Sequence, residues 1–181
     1  MGGLFNKTRE MLQDGPFLKK ALMIACPVAL QGMLNTIVNM VDTLMIGGLG
    51  STAIAAVGLA NKVFFVFSLL VFGIVSGGGI LAAQFWGSGD VKNIRKVLGL
   101  CVMLAMVGAM FFVVPALTAP RMVMRIFTTS EGSIELGAKY LRIAALSYPF
   151  IALTNVYVAM LRATNKVVFP VICSCIAIVV N

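Results

Sequence analysis

The sequence contains no histidine, only six acidic residues in 181, and charged side chains at only 11% of positions. Without histidine there is no Ser-His-Asp or Cys-His nucleophile pair, no His-ligated metal and no imidazole proton relay. A water-soluble domain carries about 25% charged residues. At 60% apolar composition and a mean hydropathy of +1.03, such a domain would expose large apolar patches and aggregate. No phosphate-cradling loop of the Gly-x-x-x-x-Gly-Lys-Ser/Thr type is present, and Gly87-Ser88-Gly89 has the wrong spacing for a nucleophile elbow. An enzyme is therefore not expected.

What the chain does have is long apolar runs. Crossing the hydrocarbon core takes about 20 mostly apolar residues. Val63–Gly89, Val97–Pro120 and Ile143–Leu161 contain no charge, and Ala21–Ile46 contains only Asp42. A fifth run begins at Val167 and is still apolar at Asn181, so the sequence reads as a fragment. The expected fold is all-α, a polytopic transmembrane helix bundle with helices over about 17–46, 52–85, 97–117, 133–161 and 168–181. Residues 1–16 are expected to form a cytoplasmic segment, amphipathic on the membrane surface. Pro27 and Pro149 are expected to kink their helices, and the glycines around Gly47–Gly50 to make a short turn. Pro120 to Gly132 reads as a loop.

The net charge of +8 would suit a nucleic acid, but the cations sit at helix ends. If the helices alternate, Lys7, Arg9, Lys19, Lys20, Lys92, Arg95, Lys96, Arg162 and Lys166 share one side. Arg121, Arg125, Lys139 and Arg142 share the other, with Lys62 near a helix start. Excess Lys and Arg marks the cytoplasmic side, so a multi-pass protein of the plasma or inner membrane with its N-terminus inside is expected, and no nucleic-acid partner. Cys26, Cys101, Cys173 and Cys175 all fall in apolar runs, where free thiols act as small hydrophobes.

Asp42 demands an explanation. A carboxylate in a membrane helix costs on the order of 3 kcal/mol on insertion scales. Gln31, Asn35, Asn39 and Asp42 are spaced by four, four and three residues, which at about 100° per residue gathers them within roughly an 80° arc. Such a stripe lines a cavity or meets polar groups of other helices. Desolvation favours a neutral carboxyl and a nearby cation favours the charged form, so the group can trade a proton for Na⁺ or a cationic molecule. A second reading stays open: Asp42 lies about 6 Å from the end of its apolar run, where a carboxylate is simply wet, although this leaves Gln31 and Asn35 unexplained. In the fourth helix Ser147 and Thr154 share a face, as do Tyr148 and Asn155, each pair seven apart, readable as packing contacts or as cavity lining. The twelve methionines include side chains that could adapt a cavity to varied molecules.

Several segments together resemble the multidrug and toxic compound extrusion family, secondary transporters built from two six-helix halves. They are Pro27-Val-Ala-Leu-Gln31, Val41-Asp-Thr-Leu-Met-Ile-Gly47, Ala55-Ala-Val-Gly58, Ala83-Gln-Phe-Trp-Gly87 with Gly89-Asp90, Tyr140-Leu-Arg142, Leu161-Arg-Ala-Thr164 and Pro170. They are collinear with the family across nearly the whole chain. Asn165 departs from it, standing where glycine is usual, a swap that asparagine tolerates because it accepts left-handed backbone. The resemblance implies an antiporter that exports amphipathic, often cationic, organic compounds in exchange for H⁺ or Na⁺, needing no cofactor. It also implies that Asp42 couples the ion with Asn181 and Tyr140; on the polar spacing described above, Gln31, Asn35, Asn39, Thr154 and Asn155 are expected to line the cavity. Membrane lipid and the missing C-terminal half of the same transporter are the implied partners. The rivals are a flippase for a lipid-linked precursor, which should present several deep cations, and a non-transporting scaffold or channel subunit. An intramembrane hydrolase ranks last.

Overall fold

In a computed structural model, residues 15–48, 50–166 and 168–180 are described, and in the first and last helices only part of the side chains. The described residues form seven helices: α1 (Gly15–Gly47), α2 (Ser51–Gly87), α3 (Val91–Thr118), α4 (Pro120–Arg125), α5 (Glu131–Ala145), α6 (Tyr148–Ala163) and α7 (Val168–Val180). No strand occurs among them. The protein is an all-α transmembrane helix bundle. It divides into two units, Val41–Thr164 and Met1–Met40 with Asn165–Asn181. Most of the expected segment 1–16 lies outside the described residues, and α1 starts at Gly15 rather than 17.

The core of the larger unit runs between α2, α3, α5 and α6. The buried positions of α2 (Ala56, Ala60, Val63, Phe67, Val71, Gly78 and Ala82) recur every three, four or seven residues, which keeps them on one helix face. Those of α3 also keep to one face through Val97, Cys101, Ala105, the adjacent pair Gly108 and Ala109, Val113 and Ala116. Small residues predominate, and between membrane helices they let backbones approach. A Cβ on Gly78 would overlap Cys101 Sγ, and one on Gly108 would overlap Leu70. The opposite faces are apolar too, with Phe72 68% and Phe111 74% exposed. Lipid, not water, is the solvent such surfaces require. By length and composition α2 and α3 can each cross a membrane, and α5 with α6 makes a third span bent by 48°.

Four expectations are corrected. The helix expected over 133–161 does bend at Pro149 as expected, but sharply enough to make two helices, α5 and α6, separated at Leu146 and Ser147. The cause is Pro149, which lacks the N–H that would bond the Ala145 carbonyl and whose ring crowds that oxygen. The chain closes the gap with tighter bonds, Leu146 N–H to Ile143 O (3.2 Å) and Ser147 N–H to Ala144 O (3.0 Å). The helix expected over 97–117 starts at Val91, because Asp90 caps it: its carboxylate accepts the Asn93 N–H (3.1 Å) and side-chain amide (2.6 Å). Lys92, Arg95 and Lys96 are thus on the helix and not in the preceding turn. The loop expected from Pro120 to Gly132 contains α4, with Pro120 in the first turn where a missing N–H costs nothing. Finally, Tyr148 and Asn155 do not share surroundings: Tyr148 is 2% exposed in the core, whereas Asn155 is exposed.

Candidate functional site

Beside the bend, the start of α6 carries an open groove. Ser147, Phe150, Ile151, Thr154 and Asn155 line this surface depression of about 220 Å³, following the three-and-four spacing of one helix face. The Ser147 hydroxyl donates to Ala144 O at 2.7 Å and the Thr154 hydroxyl to Phe150 O at 2.8 Å. Both protons are used within the helix, so these groups tolerate an apolar medium and keep acceptor capacity on their oxygens. The Asn155 amide has no hydrogen-bond partner among the described residues. Phe150, 71% exposed, adds an aromatic wall. Apolar walls with a few polar groups suit an amphipathic molecule.

Thr154 and Asn155 therefore lie together on this groove. Tyr140 is on α5, across the bend, 39% exposed and not among the lining residues. Gln31, Asn35, Asn39 and Asp42 all fall within α1, and their side chains lie outside the described residues, as does the whole of Asn181. Phe150 and Ile151 escaped the sequence reading; the signal was their spacing of four and three residues before Thr154. Of the cysteines, Cys101 is buried and Cys26 and Cys173 are exposed, while the Cys175 side chain lies outside the described residues. Among the described residues, no group of three or more Cys, Asp or Glu side chains could hold a metal ion.

The profile of the MatE family matches residues 27–181. The chain is 29% identical to the "Probable multidrug resistance protein YoeA" of Bacillus subtilis (strain 168) over 164 residues, 86% of this chain and 34% of that protein. It is 29% identical to the "Probable multidrug resistance protein NorM" of Thermotoga maritima, over 88% of this chain and 35% of that protein. A NorM of Synechocystis sp. shares 31% identity over 74% of this chain and 29% of that protein. The chain thus spans about a third of the length of the curated relatives it matches.

Proposed function

Because this chain belongs to the MatE family, we propose that it forms part of a secondary antiporter that expels amphipathic, often cationic, organic compounds in exchange for H⁺ or Na⁺. The observation that carries this reading is the family match across residues 27–181, which takes in the apolar helix bearing Asp42 and the groove on α6. Relatives bearing multidrug-resistance names support the substrate class.

In this mechanism the Asp42 carboxylate binds the coupling ion, with Asn181 and Tyr140 as its polar neighbours. A proton, a metal ion and a cationic cargo each neutralise the same carboxylate, so only one occupies it at a time. Gln31, Asn35, Asn39, Thr154 and Asn155 supply hydrogen bonds to cargo. The exchange requires one bundle to move against another, so transport belongs to the full-length protein. The N-terminus lies in the cytoplasm, in keeping with the cation distribution.

The test is dye efflux from cells expressing the full-length protein. Asp42→Asn should abolish gradient-driven efflux while leaving the protein in the membrane. Wild-type efflux by that variant would overturn the coupling site and favour a scaffold or a differently driven transporter.

A further inference from the structure

We infer that Lys62, Arg121 and Arg142 form a cationic belt, at the end of the bundle that carries α4, which binds the phosphates of anionic phospholipids.

The argument begins with the register of α2 against α3. Phe67 meets Phe112 edge-on with ring centroids 5.7 Å apart. Leu70 packs on Gly108, and Gly78 on Cys101. The two helices are antiparallel, so five residues from Phe112 toward α4 is Leu117 and five from Phe67 toward the same end is Lys62. Arg142 of α5 is at that level as well, because its guanidinium donates to the Leu117 carbonyl at 3.3 Å. Arg121 follows four residues after Leu117, in the first turn of α4. Thus α2 and α5 bring exposed cations level with Leu117, and α4 adds exposed Arg121 four residues beyond it.

That height is the edge of the lipid-facing surface. Below it lie Phe65, Phe72, Val107, Phe111, Val114 and Ile143, all exposed. Lys62 to Trp86 spans about 36 Å and Lys96 to Leu117 about 31 Å of helix at 1.5 Å per residue. Each matches a hydrocarbon core about 30 Å thick. The first turns of α2, α4 and the charged half of α5 then stand in the headgroup layer and beyond it.

The charges at this end divide into two sets. Arg125 pairs with Glu131 at 3.3 Å and Lys139 with Glu135 at 3.2 Å. Lys62, Arg121 and Arg142 have no acidic partner among the described residues. Arg142 uses one N–H on Leu117 O, and its planar fork keeps further donors for a phosphate. Unneutralised cations at the rim of an apolar belt match an anionic headgroup whose acyl chains lie along the faces beneath.

The test is lipid retention by the full-length protein, purified from phosphatidylcholine vesicles with and without phosphatidylglycerol and read by native mass spectrometry alongside the melting temperature. Phosphatidylglycerol should be retained preferentially and should raise the melting temperature. Lys62→Gln with Arg121→Gln should reduce that preference by about fivefold per cation removed, without touching the Leu117 contact. Arg142→Lys should weaken it less than Arg142→Gln, because the charge survives and the fork does not. Arg125→Gln, which removes a cation already neutralised by Glu131, should leave it unchanged. No preference in the wild type, an unchanged preference in the Lys62→Gln/Arg121→Gln variant, or an equal loss in Arg125→Gln would each overturn the proposal.

Discussion

Tyr148 stacks on Phe67 with ring centroids 4.7 Å apart and planes 10° from parallel. The contact joins the first turn of α6 to the centre of α2. Phe112 closes on the other edge of Phe67 at 5.7 Å, so one aromatic cluster ties three helices together directly below the bend. Phe64, 5.7 Å from Tyr148, extends it toward α5.

Truncating this cluster should be costly. Phe67→Ala removes a fully buried ring from between two others and is expected to destabilise the bundle by about 3–5 kcal/mol. Tyr148→Phe keeps the stacked ring and deletes a hydroxyl that has no partner among the described residues, so its effect should stay within about 0.5 kcal/mol. Thermal unfolding of the purified protein in detergent would rank the two. Similar losses would mean that the hydroxyl, and not the stacking, holds α6 in place.

Gly78 and Cys101 form a contact in which the thiol fills the space a methyl group would need. Gly78→Ala should therefore overpack the α2–α3 interface at a cost of about 1–3 kcal/mol. Cys101→Ala shortens the opposing side chain and should return part of that loss in the double variant. A coupling energy near zero between the two substitutions would contradict the observed packing.

Asn165 follows α6 with φ of 61°, the left-handed region where asparagine and glycine are tolerated and other residues are strained. Asn165→Gly should be nearly neutral. Asn165→Val should cost about 1–2 kcal/mol, visible as a lower melting temperature. Equal stability of the glycine and valine variants would show that the turn relaxes out of this conformation.

Much of this architecture was legible because lipid imposes simple demands. Uncharged runs marked the spans, but the Asp90 cap that starts the following helix at Val91 was not read. The break at Leu146 and Ser147 was harder to read, because Pro149 acts on the carbonyl four residues earlier. Its ring sits inside α6, so the kink shows at a place the proline does not occupy. The helix α4 was missed because six residues are too few to show a period. Within the site, Thr154 and Asn155 were legible as polar residues in an apolar run, but the apolar wall of Phe150 was not, since nothing in the sequence separates it from a ring facing lipid.

The amino-acid sequence by itself determined that this chain lives in a membrane, along which stretches its apolar spans run, and that Asn165 can take a left-handed backbone. Those properties depend on the local cost of charge, of backbone polar groups and of left-handed φ in each segment. Only the tertiary structure decided that Tyr148 is core while Asn155 opens on a groove, and that Lys62 stands level with Arg142. In lipid both faces of a helix are apolar, so hydrophobicity cannot reveal which face packs. Interhelical fit decides it, through small residues such as Gly78 and Gly108 meeting their partners at one register.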